Sequence, residues 1–486
     1  MANINFKIYP KETLSHINPE IYGQFSEHLG RCIYGGLYVD GKYNMAAIEA
    51  LKELEVPVLR WPGGCFADEY HWEDGIGPIA DRRRMVNTNW GGTVEDNSFG
   101  THEFLDMCEL IGCKPYVALN VGSGTVREAA EWIEYMNSDS DSTIATKRKN
   151  NGRSKPWKVE YVGIGNENWG CGGSMEPEYY ASEFKKYASF CKDYNETHLY
   201  KVACGPNADD YNWTEQFMAH LNKWQTKAIS LHYYTLVGGW ENKGSALDFD
   251  EKDYYTTIQK TLHIEELIEK HLAIMEKYDP EHDVKLIVDE WGTWYDVEPG
   301  TNPGFLYQQN TMRDAVVAAC NLNIFNRHSD MIPMANIAQA VNVLQCMLLC
   351  EGDRVVKTPT YEVFHMFKNH MNGELVKSEL DNFTAGIDDV RIPAITHSAS
   401  VKNNMLTVTL SNASLSEETK VRIDLSDSVL SGPIEITTLT GEVHAHNTFE
   451  KPDEVKAVKE TLQADGSPFE ITLPPCSVVK AVCNVR

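Results

Sequence analysis

Eight short apolar runs, spaced by longer helical patterns, limit the fold of this chain more than any other feature. The runs are Ile21–Ser26, Val56–Trp61, Pro115–Asn120, Val159–Gly165, Lys201–Gly205, Ile229–Tyr233, Lys285–Asp289 and Met334–Ala338. Helical periodicity lies between them at Met45–Glu55, Thr101–Ile111, Pro177–Tyr194, Thr257–Tyr278 and Gln308–Asn326. Strand and helix alternating eight times predict an α/β chain folded as a (β/α)8 TIM barrel. A doubly wound open sheet is the alternative.

After about residue 380 the period changes. Val401–Leu410, Val421–Leu425, Ile434–Leu439, Phe469–Leu473 and Val478–Val482 alternate at period two between turn residues. They predict a C-terminal antiparallel β-sandwich, which the strand-like Ile4–Tyr9 can join. The expected division is a catalytic barrel over residues 18–378 and a sandwich over 379–486 with an N-terminal strand from 1–17. The total of 486 residues suits two domains.

The chemistry gathers where predicted strands end, the rim that holds active sites in such barrels. Val159–Gly165 runs into Asn166-Glu167-Asn168-Trp169-Gly170, and Lys285–Asp289 runs into Glu290-Trp291-Gly292. One carboxylate past a strand is usually a cap or a rim salt bridge. Two in matching places, on strands four and seven, can face each other across a sugar ring, as glycoside hydrolysis requires. Glu27, the segment Arg60–Tyr70 with Cys65 inside it, Asn120, His232, Tyr233, Tyr234 and Gln339 end other strands. Amides, phenols and carboxylates are groups that bind sugar hydroxyls, although each alone is more often structural.

Competing chemistries lack their motifs. Gly163-Ile164-Gly165 has no third glycine for a dinucleotide, and GxxxxGK[ST], HExxH and GxSxG do not occur. Neither a cofactor nor a catalytic metal is expected. The net charge of −26 disfavours nucleic acid and anionic membranes as partners. The N-terminal residues carry no signal-peptide pattern, no apolar run reaches spanning length, and the 12 Cys include no CxxC pair. The expected compartment is the cytoplasm, with reduced thiols.

Six segments together resemble the α-L-arabinofuranosidases of glycoside hydrolase family 51. They are INPEIYGQFSEHLG, LRWPGGCFADEYHWEDGIGP, YVGIGNENWGCGG, ISLHYYT, IVDEWGTWYDVEPG and ANIAQAVNVLQ, spread from Ile17 to Gln345. The resemblance implies Glu167 as acid/base and Glu290 as nucleophile. It also implies that Glu27, Asn166 and Gln339 hold arabinofuranose hydroxyls and that Tyr234 hydrogen-bonds the nucleophile. Trp240 and Trp294 would stack the outer part of the substrate, and His232 joins the substrate-binding set. Many relatives have Asn where Cys65 stands, so a bond to the sugar there is weaker or differently made. The family is usually intracellular and often hexameric. The activity implied is retaining, exo-acting removal of terminal α-L-arabinofuranosyl groups from arabinan- or arabinoxylan-derived oligosaccharides. An endo-glucanase or β-xylosidase on the same scaffold, a non-catalytic carbohydrate-binding protein and a nucleotide-dependent enzyme on an open sheet are the rivals.

Overall fold

A computed structural model describes residues 2–464 and 466–486. Eight parallel strands close into a barrel in chain order. They are Gly23–Phe25, Val58–Trp61, Lys114–Leu119, Tyr161–Ile164, Tyr200–Ala203, Ala228–Thr235, Lys285–Thr293 and Ala335–Ala338, referred to below as barrel strands one to eight. All eight expected runs are present, and closure excludes the open sheet.

Differences from the sequence reading lie at the ends. Pro19 begins a 3-10 turn over Pro19–Tyr22, so strand one starts only at Gly23. Strand seven runs on to Thr293, so Glu290 lies within the strand and not past it. Of the expected helices, Thr101–Ile111 keeps its bounds, ending on Gly112 at φ 88°, a left-handed cap that suits glycine. Others shift to Met45–Glu53, Pro177–Phe190, Glu251–Tyr278 and Met312–Arg327.

The C-terminal strands form one folded-over sheet with the chain's first strand. Its order is Val458–Leu462, Leu430–Thr440, Ser477–Val485, Met405–Asn412, Ile395–Lys402, Glu374–Leu380, Ala2–His16, Thr419–Leu425 and Phe469–Leu473. The link between Glu374–Leu380 and Ile395–Lys402 is only two residue pairs long, so the sheet creases there into the two layers of a sandwich. Three expectations need correction. The run Val401–Leu410 is not one strand: Asn403 and Asn404, at φ 52° and 63°, turn the chain between two, as Asn does readily in hairpins. Ala2–His16 pairs parallel with Thr419–Leu425, so the sandwich is not wholly antiparallel. The boundary at 378/379 falls inside Glu374–Leu380, and the sheet takes over several residues earlier. Among the described residues, no helix is long and apolar enough to cross a membrane.

Candidate active site

Strand seven places its acid through an irregularity. In its pairing with strand six, Leu231 lies opposite Val288 but His232 lies opposite Glu290, so Asp289 is an extra residue. A bulge of this kind re-aims the side chains after it. Asp289 turns into the barrel, taking bonds from Tyr116 Oη at 2.9 Å and Asn336 Nδ2 at 2.8 Å. Glu290 comes to the mouth beside His232.

Glu290 is held on both oxygens. Arg60 Nη1 donates to Oε1 at 2.8 Å and Tyr234 Oη to Oε2 at 2.7 Å. His232 Nδ1 stands 3.6 Å from Oε2. Burial drives the carboxyl up, but His232, Arg60 and Tyr234 outweigh it and leave Glu290 below the usual range. Arg60 is buried against the Phe25 ring and also donates to Asn166 Oδ1.

Glu167 reaches the same space from the loop after strand four. The turn opens on Gly165 at φ 85° and holds Glu167 at φ 43°, a left-handed conformation unusual for Glu. Its Oε1 lies 2.9 Å from His232 Nδ1. A carboxylate oxygen of each Glu and the His232 nitrogen all lie within 4.8 Å of one another. His232 is consequently raised: burial opposes its charge, and Glu290 and Glu167 overcome that. These three groups are also the donor set that a metal ion would meet here.

Glu27, from just after strand one, accepts from Phe66 N at 3.1 Å, Trp90 Nε1 at 2.9 Å and Gln339 Nε2 at 3.2 Å. The segment Pro62-Gly63-Gly64 passes so close that a Cβ on Gly63 would lie 2.9 Å from Glu27 Oε1. That proximity requires glycine. Burial raises Glu27 to about 7, helped by the Glu290 charge and opposed by the Phe66 N–H, Trp90 and Arg60.

The cavity over these groups holds about 290 Å3. Eight of the ten predicted residues line it: Glu27, Cys65, Glu167, Tyr234, Trp240, Glu290, Trp294 and Gln339. Asn166 and His232 stand behind them, buried. Asn166 Nδ2 and Gln339 Oε1 are buried without a hydrogen-bond partner. Buried polar atoms are rarely left so, and a free acceptor on the cavity wall with a free donor just behind it suits a ligand rich in hydroxyls. Trp240, 53% exposed, meets Trp294 edge-to-face at 5.2 Å, and Trp294 meets Tyr234 at 4.9 Å.

The reading of Cys65 as a reduced thiol is wrong. Cys65 and Cys171 form a disulfide with Cα atoms 5.5 Å apart. The loops after strands two and four converge at the rim, which brings together residues 106 positions apart. The sulfurs lie 3.8 Å and 3.5 Å from Glu167 Oε2. A disulfide has no S–H to offer a sugar, so Cys65 contributes shape and not a donor. The other ten cysteines are buried and free.

Sequence reasoning passed over Trp90, Asn207 and Leu306, which also line the cavity. Trp90 sits in the Gly-rich turn between the short paired strands Met85–Val86 and Val94–Glu95, remote from any barrel-strand end, and no periodicity marks it. Asp68, inside the segment Arg60–Tyr70, is an anchor whose role no sequence signal marks. Its carboxylate accepts from Val121 N at 2.7 Å, Gly122 N at 2.8 Å and Asn166 N at 3.0 Å. It therefore ties the loops after strands two, three and four together.

A parallel barrel with two carboxyls meeting over an aromatic-walled cavity at its C-terminal rim defines a glycoside hydrolase. Comparison with known proteins narrows the class. Residues 50–248 match the α-L-arabinofuranosidase 1 domain, and residues 289–477 match the α-L-arabinofuranosidase C-terminal domain. The chain is 48% identical to an intracellular exo-α-L-arabinofuranosidase of Bacteroides ovatus, over 95% of this chain and 92% of that one. Its fold matches the crystal structure of a family GH51 arabinofuranosidase from Xanthomonas axonopodis pv. citri at TM-score 0.95 and 42% identity, covering 99% and 100% of the two chains. It matches an arabinose complex of α-L-arabinofuranosidase from Thermotoga maritima at TM-score 0.87 and 32% identity, with the same coverage. The chain belongs to the α-L-arabinofuranosidases of glycoside hydrolase family 51.

Proposed function

We propose that this enzyme is a retaining exo-α-L-arabinofuranosidase in which Glu290 is the nucleophile and Glu167 the acid/base. The observation that carries the assignment is the unequal treatment of two neighbouring carboxyls. Arg60, Tyr234 and His232 hold Glu290 ionised, while Glu167 stands across the gap on a rim loop. Oxygens within 4.8 Å suit the close spacing of retaining enzymes, about 5–5.5 Å between carboxyls, rather than the roughly 6.5–9.5 Å of inverting ones.

Glu290 attacks the anomeric carbon of a terminal arabinofuranosyl group as Glu167 protonates the departing glycosidic oxygen. The covalent arabinosyl-enzyme is then hydrolysed by a water that Glu167 deprotonates, and arabinose leaves with retained configuration. Glu27, Asn166 and Gln339 hold ring hydroxyls, the unpartnered Asn166 Nδ2 and Gln339 Oε1 supporting this. Trp240 and Trp294 receive the aglycone. Substrates are short oligosaccharides from arabinan or arabinoxylan, and the enzyme works inside the cell as a homohexamer. The intracellular relative from Bacteroides ovatus supports the compartment, and family resemblance supports the assembly.

NMR of the first-formed sugar, with a panel of nitrophenyl glycosides, tests substrate and stereochemistry together. Release of the retained arabinose anomer is expected; activity confined to glucans or xylosides would favour the rival hydrolases. Glu290→Ala is expected to abolish turnover. Glu167→Ala should spare nitrophenyl substrates, whose leaving group needs little protonation. Near-normal rates for both variants on an unactivated arabinoside would refute the roles.

A further inference from the structure

A second cavity, of about 570 Å3, lies where the helices Met45–Glu53 and Pro359–Phe367 meet the C-terminal sheet. It shares no lining residue with the catalytic cavity. Lys357, Lys456, Lys459, Lys480 and His365 all line it. Four ammonium groups around one cavity are unexpected in a chain with 44 basic and 70 acidic residues.

Two of the four are neutralised. Lys357 pairs with Glu53 at 2.6 Å and Lys456 with Asp453 at 2.9 Å. The other two form a row across three strands. Thr437 pairs with Lys459 on one side and with Lys480 on the other. Residues in register on neighbouring strands face the same way, so the two lysines flank the Thr437 hydroxyl, roughly 9–10 Å apart at the backbone. Lys480 Nζ donates to Asn369 Oδ1 at 2.9 Å. Among the described residues no carboxylate comes within ion-pair distance of Lys459 or Lys480. Glu362 also lines the cavity, with its carboxylate taking the Ala457 N–H at 3.3 Å.

The arrangement has an electrostatic cost. Burial and the nearby Lys459 push Lys480 down to about 8, with Lys368 adding and Glu435 opposing. His365 is lowered by burial and by Lys368, Lys480 and Lys459, against Glu53. Like charges on one sheet face destabilise it, and a bound anion would remove that cost.

We infer that this cavity binds a small phosphate-bearing anion, held between Lys459 and Lys480 over Thr437. Lysine is a compact, movable point charge suited to phosphate. The volume admits a pentose phosphate as well as pyrophosphate. Because the walls come from both barrel helices and the C-terminal sheet, the bound anion braces their junction and raises the melting temperature.

The test is calorimetric titration of the full-length enzyme, at low ionic strength, with inorganic phosphate, pyrophosphate and arabinose 5-phosphate, alongside thermal melts. Binding of at least one of them is expected with Kd below about 1 mM, with a raised Tm. Lys459→Gln and Lys480→Gln should each weaken it by about tenfold or more. Lys459 is exposed, so its variant carries the test even if the half-buried Lys480 variant folds poorly. Arabinosidase activity without added anion should be unchanged in Lys459→Gln. Tighter binding of arabinose 5-phosphate than of pyrophosphate would identify a sugar phosphate as the source, and the reverse an inorganic anion. Absence of binding by all three, or equal binding by wild type and Lys459→Gln, overturns the inference.

Discussion

Glu27 and Glu290 are buried carboxyls on one cavity wall with opposite pKa shifts. Glu290 has a guanidinium, a phenol and an imidazole around it, and these charges and donors exceed its desolvation. Glu27 has neutral N–H donors beside it and Glu290 as a like charge, so desolvation prevails and the group sits at about 7. The sign of the stability effect follows. A carboxyl raised from about 4.5 to about 7 stabilises the fold fully below the lower value, and that contribution is lost as pH rises through the upper one. Glu27→Gln lacks the loss. Its Tm relative to wild type should therefore climb between pH 4.5 and pH 7 and level off above. A difference that is flat across this range would show that Glu27 titrates normally. The identities of these residues were legible in the sequence because strand ends mark a barrel's rim. The opposite charge preferences were not, since Arg60 and Trp90 reach the two acids from other strands and loops.

At the scale of elements, the rim depends on two kinds of tie between loops, the Asp68 carboxylate and the Cys65–Cys171 bridge. The barrel strands were readable as apolar runs, but these ties were not. A pair 106 residues apart has no local signature, and the bulge at Asp289 is a property of pairing between two strands, invisible in either alone. The bridge fixes the turn that holds Glu167 at positive φ, which predicts a kinetic role. Replacing both cysteines, Cys65→Ser with Cys171→Ser, should lower kcat about tenfold, because small misplacements of reacting groups are costly. The Tm should fall as well, since a long loop is released in the folded chain's competitor, the unfolded state. Steady-state kinetics and melts of the double variant check this. Unchanged kcat with a lower Tm would make the bridge purely structural.

At the scale of the whole molecule, the helix Met312–Arg327 joins the two domains. Its residues from Met312 to Asn326 are all buried, whereas an outer barrel helix normally leaves one face to water. The sequence reading finds the helix but not its setting, because Asn323 and Asn326, one turn apart, look like a solvent face. The C-terminal sheet covers that face and satisfies it: Asn323 Nδ2 donates to Thr396 Oγ1 at 3.0 Å, and Asn323 Oδ1 accepts from Ser398 at 2.9 Å and Thr409 at 2.8 Å. Asn326 links Ser398, at 3.0 Å, to Tyr22 at 2.9 Å. A helix shared in this way couples barrel and sandwich, so calorimetry should record one unfolding transition for the chain. Asn323→Leu leaves the buried Ser398 and Thr409 hydroxyls without that acceptor, at a cost of roughly 2–4 kcal/mol. The transition should move to lower temperature and stay single, because the apolar contacts of the helix survive the change. If the variant, or the wild type, melts in two separate steps, the sandwich is an independent unit and the seam is not what binds it to the barrel.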